Sequence, residues 1–475
     1  MTTRFLKIFA LSASAFALAG CITPPDRTAE LTPAPEMSWS DAMTEYGLSA
    51  RAERSASPWW YVFNDETLNA LVEEALAQNL SLAQMRASVL EARSALTLTE
   101  AGARPAVSAR GQASAVRMSE TGQLPIGAIP GYSAEQMLYS AGFDASWEID
   151  LFGRQSLRED ASLAQISLQE ESLRDAQISL TAELVRAWVE LQSVRAERAL
   201  LHANLDRQRD ILEMVAQRRE HGEASDIEVE QAELRRLQTA VSEPSLNMRE
   251  RLARNQIAIL TGQTPYDLTL ESLPEASLPD SPQAALSGMP SDVLAHRADV
   301  RSAERQYALT ARQLDLTRLD TYPSFSLIGS VGPETTDISE FLSPESLAVN
   351  LAAMASWSLW DGGRQAASEA VGEARLQQAE LAYAEAVLTA VNDVESAAVR
   401  YGETLQLVSN LEAVLASAER LNGYARGRYE GGTGTVLQVT ETERDQIDVE
   451  RQLTEARRDA LFAYIALLKA LGGAS

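Results

Sequence analysis

The stretch Ala145-Ser146-Trp147-Glu148-Ile149-Asp150-Leu151-Phe152-Gly153-Arg154-Gln155 decides the fold of this chain, because both of its ends occur a second time. Ala355-Ser356-Trp357 and Gly363-Arg364-Gln365 stand at an offset of 210 residues from their first occurrences. The register holds without a gap from residues 145–262 to residues 355–472. Two copies of one long unit predict a pseudo-symmetric structure.

Composition indicates a helical protein that does not bind nucleic acid. The chain has 475 residues, which is enough for a large buried core. Only 6% of its residues are aromatic, and the formal net charge is −26. A strongly acidic chain repels a phosphate backbone, so nucleic acid is excluded as a partner. Charges of both signs are mixed along the predicted helices and do not form blocks, as on solvated helix faces.

The N-terminus predicts export and a lipid anchor. Residues 1–20 read as a signal peptide, with basic residues before an apolar run too short to span a bilayer. Leu18-Ala19-Gly20-Cys21 resembles a bacterial lipobox, which implies acylation of Cys21; the alternative is an ordinary signal peptide with a chance cysteine. Ile22 at the next position favours sorting to the outer membrane. Residues 21–58 carry five prolines and predict an extended tether.

Each copy contains a predicted β-hairpin. Residues 138–151 and 347–359 alternate apolar and polar with period two, and residues 105–117 and 323–332 are their predicted partners. Residues 104–108 match 322–326 at an offset of 218. Strands of this length, apolar on one face, suit a membrane barrel, although a soluble hairpin on a core remains open. Four strands cannot close a barrel, so several chains would have to combine.

Long helices fill the rest of each copy. The period predicts a helix over residues 64–102 before the first hairpin. Residues 154–222 and 364–432 contain no proline and predict helices of roughly 100 Å, which need partner helices along their length. Helices return over 226–261, with a kink expected at Pro244, and over 435–471. The predicted domains are a first repeat at 59–262, a proline-rich bridge at 263–295 and a second repeat at 296–475.

The sequence offers no catalytic or metal-binding pattern. His202, His221 and His296 lie far apart and have no ligand spacing typical of zinc. No glycine-rich phosphate loop follows a strand, and no nucleophile elbow occurs. We therefore expect no enzyme activity, no metal and no cofactor.

The paired junction motifs resemble those of the outer-membrane efflux protein (TolC-like) family. The lipobox and Trp59-Trp60 are similar to its lipoprotein branch, of which OprM is typical. The resemblance implies a mainly α fold with a β-barrel portion, in which a homotrimer closes twelve strands, four from each chain. That barrel would continue into a periplasmic α-helical barrel, with the protein lipid-anchored in the cell outer membrane.

The resemblance also implies a function. The chain would be the exit duct of a tripartite efflux system and would passively conduct drugs or other small molecules. Its partners would be a periplasmic adaptor protein and an inner-membrane transporter of the RND class. The alternatives are a structural or adhesive coiled-coil lipoprotein without a pore and, within the family, a channel for protein secretion or metal-ion export.

Functional residues are expected where the long helices turn. By resemblance, the periplasmic gate would consist of Glu228, Tyr429, Gln438 and Glu441, although ordinary polar helix surface is the alternative. Some relatives have Asp where Gln438 stands and a basic residue where Gly434 stands, so a looser or differently connected gate is expected. The candidate adaptor-contact residues are Gly222, Glu223, Ala224, Ser225, Gly432, Thr433, Gly434 and Thr435. The strand-to-helix junction residues Gly153, Arg154, Gly363 and Arg364 are expected to have a structural role.

Overall fold

The computed structural model describes residues 28, 31, 58–119, 133–268, 278–279 and 296–473. The predicted signal peptide, Cys21, and most of the tether and of the bridge lie outside the described residues. Among the helices of the described ranges, none is both long enough and apolar enough to cross a membrane.

Both copies follow the order helix, hairpin, long helical hairpin. After a 3₁₀ turn at Trp59–Phe63, the first copy contains α1 (Glu66–Gln78), α2 (Leu80–Gly102), β1 (Ala106–Arg117), β2 (Glu135–Ile149), α3 (Arg154–Glu220), α4 (Asp226–Ala240) and α5 (Glu243–Leu260). The second contains α6 (Ala298–Leu319), β3 (Ser324–Thr335), β4 (Leu347–Ser356), α7 (Arg364–Glu430) and α8 (Val436–Ala470), with short 3₁₀ turns at Ile338–Glu340 and Pro344–Ser346. The predicted fold class, mainly α with four strands per chain, is confirmed.

The helix predicted over residues 64–102 is two helices, because Asn79 interrupts it. The Asn79 side-chain oxygen accepts the N–H of Leu82 at 3.1 Å and caps the start of α2. Its amide group donates to the carbonyl of Leu260 at 3.0 Å and so satisfies the end of α5. Apolar periodicity continues across residue 79, and this hid the break.

Pro244 breaks the first returning helix, as expected. The chain leaves α4 at Val241, and α5 begins with Pro244 in its first turn, where no backbone donor is needed. The equivalent helix of the second copy, α8, runs for 35 residues without interruption.

The four strands form one antiparallel sheet in the order β1-β2-β3-β4. Ala106 pairs with Ser146 in the first hairpin, and Ser324 pairs with Ser356 in the second. These partners are related by the two offsets, 218 and 210, that the sequence repeat shows. β2 and β3 join the copies, and β1 and β4 are the outer strands of the sheet.

Matching side chains at the two strand-to-helix junctions contact the end of the helix that precedes each hairpin. The indole of a tryptophan and the amide of a glutamine donate to backbone carbonyls at the helix end in both copies. The pairs are Trp147 to Ala103 and Trp357 to Thr321, both at 2.9 Å, Gln155 to Thr99 at 2.6 Å, and Gln365 to Thr317 at 2.5 Å. β4 ends at Ser356, before the predicted residue 359, whereas β2 continues past Trp147 to Ile149.

The chain comprises two compact units. One contains the sheet, with residues 89–168 and 304–382. The other contains the main hydrophobic core, in which Leu184 and Leu191 of α3, Tyr401 of α7, and Leu461 and Ile465 of α8 are fully buried. These residues belong to one continuous cluster. Truncating one of its large side chains to alanine would lower the free energy of unfolding by several kcal/mol.

Two glycines with the same backbone angle allow a matched test of packing. Gly262 has φ 75° and Gly222 has φ 76°. A Cβ at Gly262 would lie 2.6 Å from the carbonyl oxygen of Gln78, whereas a Cβ at Gly222 would meet nothing within 4 Å. Gly222→Ala should therefore cost only the left-handed strain, about 1–2 kcal/mol. Gly262→Ala should cost at least roughly twice as much, because the clash adds to the same strain. Denaturant unfolding of both variants in one detergent measures this, and equal losses would contradict the packing.

Candidate functional site at the turns between the long helices

The two turns between long helices have the same backbone design. α3 ends where Gly222 takes a φ of 76°, and α7 ends where Gly432 takes a φ of 72°. In each turn the residue after the glycine donates its N–H to a carbonyl five residues earlier: Glu223 to Arg218 at 2.8 Å and Thr433 to Arg428 at 2.9 Å. Glycine is needed at these positions, because other residues are strained in the left-handed region.

Capping boxes begin both returning helices. The Glu228 carboxylate accepts the N–H of Ser225 at 2.7 Å, and the Gln438 side chain accepts the N–H of Thr435 at 3.4 Å. The Ser225 and Thr435 hydroxyls accept the reciprocal N–H bonds. Two of the four candidate gate residues, Glu228 and Gln438, thus stabilise the first turns of α4 and α8.

Gly434 lies against the end of α7. Its N–H donates to the carbonyl of Arg428 at 2.9 Å. A Cβ at this position would approach the backbone nitrogen of Tyr429 to 2.9 Å, which is too close for a backbone contact. A side chain here would therefore need a different turn, so the glycine matches the geometry found in this chain.

A small apolar cluster joins the two turns. Ile211 and Val215 from α3 are buried against Tyr429 at the end of α7 and against Val436 and Val439 at the start of α8. The residues follow helical spacing within each helix, but periodicity alone does not show which helices meet. The packing of the two turns on each other is therefore not predictable from the pattern alone.

Arg218 and Tyr429 form the polar contact within this cluster. The Arg218 guanidinium lies 4.5 Å from the centre of the Tyr429 ring and donates to the Tyr429 carbonyl at 3.2 Å. It also lies 3.6 Å from the Glu223 carboxylate. Tyr429 is 5% exposed, and its hydroxyl has no hydrogen-bond partner within the described part of the chain. A cation over an aromatic face stabilises the contact by about 0.5–2 kcal/mol.

The other candidates lie on the surface of the turns. Glu441 is exposed on α8, whereas its neighbours Val439, Thr440 and Glu443 are buried, so it faces away from the cluster. No hydrogen bond or ion pair among the described residues joins Glu441 to Glu228, Tyr429 or Gln438. Of the adaptor-contact candidates, Ala224 and Gly434 are half-buried and the other six are exposed.

The two junction arginines have different surroundings. Arg154 forms an ion pair with Asp320 and donates to the carbonyl of Leu319 at 2.8 Å, so it closes the end of α6. Arg364 is exposed and has no such partner among the described residues. Gly153 and Gly363 precede them with φ of 80° and 89°. The copies are thus alike in backbone and unlike in side-chain partners.

A buried polar network connects α3, α7 and α8 near the turns, and the sequence pattern did not predict it. Arg207 of α3 pairs with Glu450 of α8 at 2.9 Å, and Gln446 donates to Glu450 at 2.8 Å. Asn422 of α7 donates to Gln446 at 2.6 Å. Glu443 is 3% exposed and one of its oxygens has no partner among the described residues. The sequence signal for this network is that polar residues occupy helix positions where the apolar period predicts burial.

Burial raises the pKa of Glu443 above its ordinary value of 4.5, and nearby Glu450 adds to this, while Arg426 and Arg207 oppose it. Because the pKa is raised in the folded state, protonated Glu443 contributes its full stabilisation below pH 4.5. This contribution is lost as the pH rises through the folded-state pKa. Glu443→Gln should therefore be more stable than the parent at neutral pH and equal to it near pH 4. Thermal unfolding at both pH values measures this, with the exposed Glu441→Gln as the control for loss of one charge. A Glu443→Gln variant that is less stable at neutral pH would contradict the burial argument.

No group of three or more His, Cys, Asp or Glu side chains is placed to hold a metal ion in the described ranges. The arrangement at the turns can support packing, closure and protein contact, and it presents no nucleophile with an adjacent base.

Known proteins resemble this chain over nearly its whole length. The sequence profile of the outer membrane efflux protein family matches residues 71–263 and 289–473. The toluene efflux pump outer membrane protein TtgF of Pseudomonas putida is 28% identical over 496 residues, covering 100% of this chain and 97% of its own length. The pyoverdine export outer membrane protein OpmQ of Pseudomonas aeruginosa is 26% identical over 448 residues, covering 93% of each. The solved outer-membrane channel OprN is 29% identical, with a TM-score of 0.86, and covers 95% of this chain and 99% of its own.

Proposed function

The chain belongs to the outer membrane efflux protein family, and from this premise we propose that it is the exit duct of a tripartite efflux system. It conducts small molecules passively from the periplasm and an inner-membrane transporter to the exterior. The observation that carries the proposal is the sheet: four antiparallel strands in chain order, with the outer edges of β1 and β4 unpaired among the described residues.

Closure of the sheet requires other chains. An open edge exposes unpaired backbone groups, and a membrane barrel tolerates none. Three chains supply twelve strands, and the symmetry of a closed ring leaves no edge. A homotrimer in the outer membrane, continuous with a helical periplasmic portion, therefore satisfies every strand.

Cys21 is proposed as the acylated residue that anchors the chain, and Thr28, seven residues later, contacts the folded body. The backbone N–H of Thr28 donates to the two Asp315 carboxylate oxygens at 3.0 and 3.2 Å, and the Thr28 hydroxyl donates to one of them at 2.6 Å. Asp315 also lies 3.3 Å from Arg312 and is 2% exposed. Thr28 thus binds near the end of α6 through one buried carboxylate.

The proposed partners bind at the turns. A periplasmic adaptor protein contacts the exposed backbone and short side chains of the two turns, and the inner-membrane transporter is of the RND class. Six of the eight candidate residues there are exposed, and the paired turns present the same backbone shape twice. Such repeated tips suit an adaptor with repeated binding surfaces.

The proposed cargo is a small molecule, and the inner-membrane transporter selects it. Relatives are named for toluene and for pyoverdine, which share no recognition chemistry. A passive duct needs only an aqueous path, and selectivity then belongs to the transporter. The turns act as the proposed gate, with the Arg218–Tyr429 contact holding α3 against α7 and Glu441 repeated three times around the axis.

Deletion of the chain from its host tests the function. Accumulation of a panel of dyes, antibiotics and metal ions should rise for a subset of compounds, because the exit path is lost. Expression of the intact chain should restore the lower level. An unchanged panel in a host without a second such channel would contradict the efflux assignment.

Removal of the Tyr429 ring tests the gate. Tyr429→Ala should raise the leak of a large hydrophilic antibiotic into cells several-fold, because both the apolar cluster and the cation–π contact are lost. Tyr429→Phe is the matched control: it keeps the ring, and the hydroxyl it removes has no partner among the described residues. Planar-bilayer recordings of the same proteins should show larger openings only for Tyr429→Ala. Equal leak in both variants, with the trimer intact, would exclude Tyr429 as a gate residue.

A further inference from the structure

A cavity of about 380 Å³ lies between helices near the turns, and the proposed duct does not use it. Its wall consists of residues from α3, from α4 and α5, and from α8, all within one compact unit of the chain. Ligand sites in proteins have volumes of this order, roughly 300–1,000 Å³. The cavity is therefore large enough for a small organic molecule.

The break between α4 and α5 forms one side of this cavity. α4 ends at Ala240 and α5 begins at Glu243. The residues at and beside the break that line the cavity include three with short side chains, Thr239, Ser242 and Ser245. Because short side chains fill little volume, space remains beside α3 and α8 at this level.

Two buried side chains of the cavity wall each have an oxygen without a hydrogen-bond partner in the described part of the chain. They are Gln208 of α3, which is 7% exposed, and Glu443 of α8, which is 3% exposed. The unpartnered atoms are the amide oxygen of Gln208 and one carboxylate oxygen of Glu443. An amide oxygen and an ionised carboxylate can only accept hydrogen bonds. The group missing from this cavity is therefore a donor.

The repeat counterparts of these two residues show that the fold does not require unsatisfied oxygens here. The counterpart of Glu443 is Glu233, whose carboxylate accepts two hydrogen bonds from Arg236, both at 2.8 Å. The counterpart of Gln208 is Ala418, which has no polar side chain. Buried acceptors without a donor are uncommon in proteins and need a specific explanation. A ligand that supplies the donors gives that explanation.

The charged residues of the cavity wall favour a cationic ligand. Three guanidinium groups of the wall already bind carboxylates: Arg249 binds Glu190 and Glu197, Arg444 binds Asp445, and Arg451 lies 3.9 Å from Asp448. Arg235 donates to the amide of Gln238. The carboxylates of Glu443 and Glu455 line the cavity and have no ion pair within the described ranges. Two unpaired carboxylates thus stand against one guanidinium without a carboxylate.

We propose that this cavity binds a small organic ammonium ion with an apolar body. The ammonium group carries three donors, and it binds the Glu443 carboxylate and the Gln208 amide oxygen. The apolar body contacts the four large apolar residues of the wall, Leu200, Leu201, Leu246 and Ile447. No group of three acidic, His or Cys side chains in the described ranges is placed to hold a metal ion, so an organic cation fits the cavity better.

Burial prepares both oxygens for this ligand. Folding has already removed them from water, so a bound donor restores hydrogen bonds without further desolvation of the protein. Burial also raises the pKa of Glu443, which shows that its ionised form lacks sufficient compensation in the free chain. An ammonium ion beside the carboxylate supplies that compensation, and a neutral ligand of the same shape does not.

Calorimetric titration of the purified full-length protein in detergent tests the proposal. The probe is phenethylamine, which is protonated at neutral pH, and the matched probe is phenethyl alcohol, which has the same apolar body without the charge. The amine should bind saturably and at least about tenfold more tightly than the alcohol, because only the amine forms a charge-assisted hydrogen bond with Glu443.

Three variants locate the binding in the cavity. Glu443→Gln should weaken amine binding at least about tenfold and remove the preference over the alcohol, because the charge is lost and the shape is kept. Gln208→Leu removes the second acceptor and should also weaken the amine. Ser245→Phe should weaken both probes, because the larger side chain fills the cavity from its exposed side. Glu213→Gln is the matched control, since it removes an exposed carboxylate of α3 outside the cavity and should bind like the parent.

The outcomes separate this inference from the proposed function. Absence of saturable amine binding to the parent protein would overturn the site, as would binding that is unchanged in both Glu443→Gln and Ser245→Phe. Glu443→Gln should be at least as stable as the parent at neutral pH, so its loss of binding would not reflect unfolding. The titrations involve no transport, so a negative result leaves the proposed duct intact, and a failed efflux test leaves the site intact.

Discussion

Unpaired backbone groups along two strands are the constraint on which the rest of the structure depends. β1 and β4 each leave one side of their hydrogen-bonding ladder without a partner among the described residues. In lipid every such group must be satisfied within protein, so an isolated chain is an incomplete structure. The long helices have the same need, because a helix of 67 residues requires neighbours along its length.

The two copies satisfy corresponding backbone groups with different side chains, as Asn79 and its repeat counterpart Arg297 show. Asn79 donates to the carbonyl of Leu260, and its counterpart Arg297 donates to the carbonyl of Ala470 at 2.7 Å. The arginine also pairs with Asp299 at 2.6 Å and with Asp393 at 3.2 Å. The backbone task is the same, but the second copy performs it with a buried charge that needs two carboxylates.

Local patterns predicted the elements well, and contacts between distant segments set the limits of that prediction. Period-two alternation located both hairpins, and proline-free runs located α3 and α7 to within two residues. The break at Asn79 was missed because apolar periodicity continues across it, and because its second contact, with Leu260, lies 181 residues away. The packing of Arg218 on Tyr429 was missed for the same reason, since they are 211 residues apart. The domain bounds, the gate and the adaptor contacts remain predictions.

The bond between Thr28 and Asp315 has a consequence for symmetry. The repeat counterpart of Asp315 is Thr97, which has neither the negative charge nor the second oxygen with which the Asp315 carboxylate accepts from the backbone N–H and the hydroxyl of Thr28. In a trimer, the six repeats, two from each chain, would therefore contain only three carboxylates that can bind Thr28 in this way. Asp315 therefore joins Arg154 and Asn79 as a position where the two copies have different partners, so that a ring of three chains keeps threefold symmetry although its backbone pattern repeats six times.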